Sequence, residues 1–264
     1  MIRGDYHLHT SFCDGKNSAE EMVLAAIERG MTHIGITTHS YTDFDTSYCI
    51  PRERIGEYRR EIARLKEAYG DKITVLCGIE QDLWGTESTE GYDYVIGSVH
   101  YLWKGEDWFS TDESVEALLK AKETYYGGDG LAMAEDYFRS VSQIGRLHPH
   151  IIGHFDLIAK CNRDGCLFDE SDPRYLAAAF TAVDALLPLE IPFEINTGAI
   201  ARGYRRVPYP APDILSYIAQ KGGKVILNSD AHSPENLLYQ LDEMKKYALD
   251  AGIPPENILY FPLL

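Results

Sequence analysis

Two histidines near the start of the chain, His7 and His9, are separated by one residue and follow a short apolar run. In a β-strand, residues two apart point to the same face, so both imidazoles can reach a single cation. One His-x-His pair is weak evidence, because packed or exposed strands also carry such pairs. The pair predicts a metal site only if further ligands join it.

Imidazole and carboxylate side chains also follow the later apolar runs. These residues are His39, Glu80, His100, His154, Asp230 and His232. Side chains at the carboxyl ends of parallel strands face one common mouth, so residues far apart in sequence can meet there. Imidazole and carboxylate together suit Zn, Mn or Fe, and the lack of a thiolate cluster argues against a structural zinc site. The recurrence predicts a metal centre with many ligands.

The remaining histidines have structural explanations. His33 opens an apolar run, as a packed or partly exposed strand residue does. His148 and His150 flank Pro149 ahead of another run, which favours a loop or surface role. We do not include these three in the predicted site.

The elements that must position the ligands alternate through the chain. Strand-like runs cover 2–6, 32–37, 73–79, 94–99, 151–153, 192–195 and 224–227. Helical patterns cover 19–29, 52–69, 114–124, 131–146, 174–187, 212–220 and 234–251. Ser18 and Glu21 resemble a capping box, and Gly30 suits the end of the first helix. The alternation predicts a parallel sheet, either a barrel or a doubly wound sheet, with an inserted segment around 104–147.

Composition limits the class of protein. The 264 residues have 45% hydrophobic and 25% charged side chains and no repeat or long linker, which predicts one globular domain over 1–264. A formal charge of −16 argues against binding nucleic acid, but not against a small phosphorylated substrate. No signal peptide or membrane-spanning run is recognisable, and the five cysteines form no CxxC pair, so we expect reduced thiols and a cytoplasmic protein. Oligomeric state is not predicted.

Six motifs in order together resemble those of the polymerase and histidinol phosphatase (PHP) superfamily. They are Asp5-Tyr6-His7-Leu8-His9, Thr37-Thr38-His39, Gly78-Ile79-Glu80, Gly97-Ser98-Val99-His100, Gly153-His154-Phe155-Asp156 and Asn228-Ser229-Asp230-Ala231-His232. The inserted segment, Asn196-Thr197-Gly198, Arg202 and Tyr209-Pro210 are most similar to the histidinol-phosphate phosphatases. The resemblance implies a distorted (β/α)7 barrel with a helical insertion.

The same resemblance implies three metal ions, Zn, Mn or Fe. Transferred by position, the first ion would bind His7, His9, Glu80 and Asp230, the second Glu80, His100 and His154, and the third Asp14, His39 and His232. The implied activity is hydrolysis of L-histidinol phosphate in histidine biosynthesis by a hydroxide that bridges two ions, with Asp230 and His232 as candidate catalytic residues.

Two positions depart from the family pattern. Thr38 stands where relatives carry a carboxylate before the histidine, so that supporting group is missing while His39 remains. Asp14, in Cys13-Asp14-Gly15, stands where several relatives carry histidine. A carboxylate also binds divalent ions, although Asp-Gly is equally a turn signature.

The substrate contacts are less constrained by the sequence. Lys160 and Arg163, after the fifth strand, and Arg202, Arg205 and Arg206, after the sixth, are candidate phosphate ligands. Arg202 is preferred because a guanidinium binds phosphate through two hydrogen bonds. Surface ion pairing explains the same residues equally well. Aromatic residues near the motif ends and the acidic segment 43–45 could line the substrate or serve packing and solvation.

Two other functions stay open. A PHP-type enzyme could act on another small phosphate ester or a nucleotide with the same ligands. Alternatively, the chain could be a metal-binding regulatory module without hydrolytic activity, although its intact ligand positions argue against this.

Overall fold

Every apolar run predicted as a strand contributes to one parallel sheet in the computed structural model, which describes residues 2–260. The strands are β1 (Gly4–Asp5), β2 (His33–Ile36), β3 (Thr74–Asp82), β4 (Tyr94–Ser98), β5 (Tyr101–Lys104), β6 (Asp107–Ser110), β7 (Ile151–Ile152), β8 (Phe193–Asn196), β9 (Val225–Asn228) and β10 (Ile258–Leu259). The sheet order is β1-β2-β3-β4-β7-β8-β9-β10, and β5 and β6 form a separate antiparallel hairpin.

The sheet curls until its first strand meets β9. A parallel bridge joins Leu8, just after β1, to Ala231, just after β9. His9 N donates a hydrogen bond to Ala231 O at 2.8 Å, and Ala231 N donates to His7 O at 3.2 Å. The unpredicted strand β10 pairs with the first half of β9. The expected distorted barrel is therefore confirmed, with β10 as a short additional strand.

Helices connect most of the strands. They are α1 (Ala19–Glu28), α2 (Ile55–Tyr69), α3 (Val115–Tyr126), α4 (Gly130–Val141), α5 (Pro173–Leu186), α6 (Gly198–Ala201), α7 (Pro212–Gln220) and α8 (Leu241–Asp250). The capping box of Ser18 and Glu21 is confirmed, and Gly30 takes a positive φ of 69° after α1.

One predicted helix is broken. The pattern over 234–251 predicted a continuous helix, but the chain forms a short 3-10 turn at Pro234–Asn236 and resumes only at α8. Leu238 and Gln240 have φ values of 59° and 54°, which a right-handed helix does not accommodate. The prediction of one helix here was wrong.

The inserted segment contains a β-hairpin as well as the expected helices. It contains α3 and α4, as expected, but it opens with the β5–β6 hairpin. Leu118 of α3 and Met133 and Phe138 of α4 are buried in the same hydrophobic cluster as the barrel residues Ile152 and Phe193. The insertion therefore packs on the barrel core and leaves its hairpin beside the mouth. Between residues 2 and 260, no helix has the length and apolar character needed to cross a bilayer.

Candidate metal centre

The carboxyl ends of the strands bring all the predicted ligands to one mouth. Their ligand atoms form four overlapping groups in which the atoms lie within 4.8 Å of one another. The groups are His9, Asp14, His39 and His232; His7, His9 and Asp230; His7, Glu80 and His154; and His39, Glu80 and His100. Each group contains imidazole and carboxylate ligands, so each can accept a transition-metal ion.

Glu80 lies at the centre of the cluster. Its Oε2 is 2.9 Å from His39 Nδ1 and 3.2 Å from His7 Nε2, while its Oε1 is 2.8 Å from His154 Nε2 and 3.3 Å from His100 Nε2. Burial alone would raise the pKa of this carboxyl, but the surrounding imidazoles hold it well below its usual range. A buried ionised carboxylate with different histidines at each oxygen is suited to bridge two cations.

Several of the predicted ligand atoms form no hydrogen bond that would satisfy them within the fold. His7 Nε2, His9 Nε2 and Glu80 Oε2 are buried. Glu80 Oε2 lies within 3.5 Å of both imidazole nitrogens, but none of the three atoms forms a hydrogen bond of suitable geometry among residues 2–260. Leaving such an atom unsatisfied costs roughly 1–3 kcal/mol. A bound cation would satisfy all three, so the donor set fits the implied metal ions.

Glu194 holds two of the predicted ligands, His7 and His154, in place through hydrogen bonds. Its Oε1 accepts hydrogen bonds from His7 Nδ1 at 2.7 Å and Asn228 Nδ2 at 2.8 Å. Its Oε2 accepts from His154 N at 2.8 Å and Asn196 Nδ2 at 2.9 Å. The His7 contact places the proton on Nδ1 and leaves Nε2 free toward the cluster, as carboxylates do for metal-ligating histidines.

Asp82 supports His100 in the same way. Its Oδ2 accepts from His100 N at 2.8 Å and lies 3.2 Å from His100 Nδ1.

The sequence analysis missed both supporting carboxylates, Asp82 and Glu194, although the sequence contains an indication of each. Asp82 follows Glu80 by two residues on one strand, and Glu194 is a charged residue inside a run that otherwise reads as buried.

Asp14 lies at the open edge of the cluster. Its Oδ1 is 3.6 Å from both His9 Nδ1 and His39 Nε2, and its Oδ2 is 3.1 Å from His232 Nε2. The following Gly15 presses on the backbone of His9, since a Cβ there would come within 2.4 Å of it. The turn formed by Asp14 and Gly15 therefore also brings the Asp14 carboxylate to the predicted ligand position.

At the position that lacks the family carboxylate, Thr38 Oγ1 is buried without a hydrogen-bond partner in the described chain.

Two of the predicted phosphate ligands reach the cleft. Arg202 Nη2 is 3.1 Å from Asp230 Oδ2, and its Nη1 is 2.7 Å from His232 Nδ1. Lys160 Nζ is 2.7 Å from Asp112 Oδ2. Burial alone would raise the pKa of Asp112, but Lys160 lowers it to about 2. Both cations line a cleft of about 600 Å³ together with most of the ligands.

Arg163 does not reach this cleft. Its side chain is 76% exposed, pairs with Asp164 at 3.8 Å and lines a separate depression. Arg205 and Arg206 line the same depression, and Arg205 pairs with Glu170 at 2.9 Å. Arg163 opens a short 3-10 turn, Arg163–Gly165, after the segment that carries Lys160.

An imidazole and carboxylate cluster at the mouth of a parallel barrel, with cationic side chains beside it, defines a metal-binding site of the kind used for hydrolysis. The chain belongs to the PHP domain family, since residues 5–198 match the model of that family.

Similar proteins that carry a functional name align with almost the whole chain. A protein of Deinococcus radiodurans named "Probable histidinol-phosphatase" is 30% identical over 263 residues, which are 94% of this chain and 93% of the relative. A protein of the same name from Schizosaccharomyces pombe is 29% identical and covers 94% of this chain and 86% of its own length. The fold matches a histidinol phosphate phosphatase from Lactococcus lactis, solved with zinc, L-histidinol and phosphate, with a TM-score of 0.75 at 21% identity, covering 96% of this chain and 94% of that one.

Proposed function

We propose that this chain is a metal-dependent phosphomonoesterase that hydrolyses L-histidinol phosphate to L-histidinol and phosphate. The arrangement of imidazole and carboxylate ligands around Glu80, beside Arg202 and Lys160 in one cleft, carries the proposal. The names of the relatives that cover more than nine-tenths of this chain support the choice of substrate.

Three ions, Zn, Mn or Fe, are proposed to bind in this cluster. The first would be held by His7, His9, Glu80 and Asp230, the second by Glu80, His100 and His154, and the third by Asp14, His39 and His232. In each set the imidazole nitrogens lie 3.8 Å or less from a carboxylate oxygen of the same set. His9 is also close to the third set, so one imidazole lies between two of the ion positions. Bound ions supply Lewis acidity, which activates water and stabilises charge on the phosphoryl group.

The protein's own cations are proposed to orient the phosphate. Arg202 contacts two of the ligands, Asp230 and His232, and its Nε is buried without a partner among residues 2–260. Its planar guanidinium can hold two phosphoryl oxygens at once. Lys160 lines the same cleft and adds a second positive charge. The position of Arg163 does not support a phosphate contact.

Asp230 and His232 are proposed as the catalytic residues because they connect the ion cluster to the phosphate side. Asp230 Oδ1 is 3.3 Å from His9 Nε2, while its Oδ2 faces Arg202. His232 lies between Asp14 and Arg202. Side chains at this boundary would lie within reach of both a water activated at the ions and the phosphoryl group, where a proton would be transferred.

The test is a substrate panel on the purified, metal-loaded protein. We expect the highest kcat/KM for L-histidinol phosphate, compared with p-nitrophenyl phosphate, a sugar phosphate and a mononucleotide. Efficient hydrolysis of another monoester without phosphate release from L-histidinol phosphate would contradict the proposal. A single domain over 1–264, a cytoplasmic location and the absence of nucleic-acid binding stay predictions.

A further inference from the structure

We propose that Asp156 and Arg205 are positioning residues for phosphate binding, because they hold the segment 202–211 in the place from which Arg202 enters the cleft. The inference rests on the proposed function, since it takes Arg202 as a ligand of the phosphate. Arg202 lines the cleft, whereas Asp156 and Arg205 do not, so each of the two would act through Arg202.

The segment 202–211 connects two fixed points of the fold. It begins at the end of α6, where Arg202 N donates a hydrogen bond to Gly198 O at 3.0 Å, and it ends where α7 starts. Near its far end, Tyr209 pairs with Asn196, the last residue of β8, through hydrogen bonds of 2.8 and 3.1 Å. Residues 203–208 form no regular helix or strand, so their course depends on side-chain contacts.

Arg205 fixes the middle of this segment to the chain that follows β7. Its side chain is 6% exposed, and its Nη2 is 2.9 Å from Glu170 Oε2 and 3.8 Å from Asp156 Oδ2. Its guanidinium also lies over the Tyr209 ring, with Cζ 5.1 Å from the ring centroid. A guanidinium buried to this extent needs anionic partners, so the two carboxylates restrict where the segment can lie.

Asp156 holds the end of the same segment. Its side chain is fully buried, and its Oδ2 accepts a hydrogen bond from Ala211 N at 3.1 Å. Asp156 follows His154 by two residues, and the His154 ring lies 6.3 Å from the ring of Tyr209. One carboxylate therefore fixes the segment that carries Arg202 relative to a predicted ligand of the second ion.

Holding Arg202 in place before the ligand arrives should strengthen phosphate binding. A side chain that is already ordered loses less conformational entropy when it binds. Without Asp156 and Arg205, the backbone of Arg202 could shift, and its guanidinium would reach the phosphoryl oxygens in fewer conformations. None of the predicted ion ligands belongs to the segment 202–211, so we expect metal binding to stay the same.

A double-mutant cycle on the metal-loaded protein tests whether Arg205 acts through Arg202, with inorganic phosphate as the probe. We expect Arg205→Gln to weaken phosphate binding, measured by calorimetry, by roughly tenfold. In the Arg202→Ala background the same substitution should change phosphate affinity by less than about twofold, because the contact that it supports is already lost. The amount of bound metal should be equal in all four proteins of the cycle.

Two further variants control for misfolding. Arg205→Gln leaves Asp156 buried without its cationic partner, so the variant Asp156→Asn/Arg205→Gln removes both charges and should weaken phosphate binding to a similar extent with less loss of thermal stability. Arg174→Gln is the matched control, because Arg174 also pairs with two carboxylates, Asp129 and Glu135, but is 47% exposed. It should keep the wild-type phosphate affinity.

The outcomes separate this inference from the proposed function. A wild type that neither binds inorganic phosphate nor hydrolyses a phosphomonoester contradicts the proposed function, and the inference fails with it. If the wild type binds phosphate and Arg205→Gln weakens binding equally in both backgrounds, or lowers the bound metal, Arg205 has a general structural role and the inference alone is wrong. Wild-type phosphate affinity in Asp156→Asn/Arg205→Gln would also overturn it.

Discussion

Glu194 Oε1 accepts a hydrogen bond from His7 Nδ1 at 2.7 Å, and both side chains are fully buried. Burial alone would raise the pKa of Glu194, but the charge of His7 and the hydrogen bond hold it below its usual range. The same carboxylate accepts a hydrogen bond from the backbone N–H of His154, so one side chain fixes two ligands that follow different strands. The geometry of the ion cluster therefore depends on a residue that would not touch an ion.

Glu194→Gln should weaken metal binding by roughly 10–100-fold, because the amide is a poorer acceptor for His7 Nδ1–H and loosens the imidazole. The measurement is a titration with metal in which phosphatase activity and the amount of bound metal are both recorded. A positioning role predicts that excess metal restores much of the kcat. Glu190→Gln, an exposed carboxylate that pairs with Lys224, is the control. Wild-type metal affinity in Glu194→Gln would refute the assignment.

Arg202 and Arg163 should behave differently when replaced. We expect Arg202→Lys to lower kcat/KM by roughly tenfold or more for every phosphomonoester, since an ammonium does not reproduce the two-oxygen contact of a guanidinium. Arg163→Ala should leave kcat/KM within about twofold, because an exposed ion pair contributes little. Steady-state kinetics on two substrates tests both. A large loss in Arg163→Ala with normal kinetics in Arg202→Lys would reverse the two assignments.

The ligands could be predicted from sequence because strand ends share one mouth and His7 and His9 share one strand face. The supporting contacts could not, since the reach of Glu194 to His7 and His154 depends on how three strands align. Arg163 and Lys160 are three residues apart, yet Arg163 is exposed and Lys160 lines the cleft. Local pattern alone does not resolve such a difference.

The predicted helix over 234–251 failed for a related reason. Leu238 N donates a hydrogen bond to Asp5 Oδ2 at 3.1 Å, which holds the broken segment against β1. Asp5 is 233 residues away in sequence, so a long-range contact opposes the local helical pattern. The short strand β10 is similar, because only its pairing with β9 distinguishes it from a loop.

Gly198 is a position where a small side chain should impair the site. A Cβ there would come within 2.7 Å of Asp230 Oδ2 and 3.0 Å of Arg202 Nη2, so Gly198→Ala should push the two charged groups apart. We expect kcat/KM to fall by roughly tenfold, with a small change in thermal unfolding. Ala201→Gly at the other end of α6 provides a control in the same short helix. Unchanged kinetics in Gly198→Ala would mean that the close approach has no functional role.

Loss of His9 should affect more than one ion position, because His9, like His7, His39 and Glu80, belongs to two of the four ligand groups and its Nε2 forms no hydrogen bond within residues 2–260. We expect His9→Ala to lose bound metal and phosphatase activity together, as measured by elemental analysis and phosphate release. His33→Ala, a strand histidine outside the cluster, should retain both. If His9→Ala retained full turnover, or lost turnover with all its metal in place, the ion cluster could not be the centre of hydrolysis proposed for this chain.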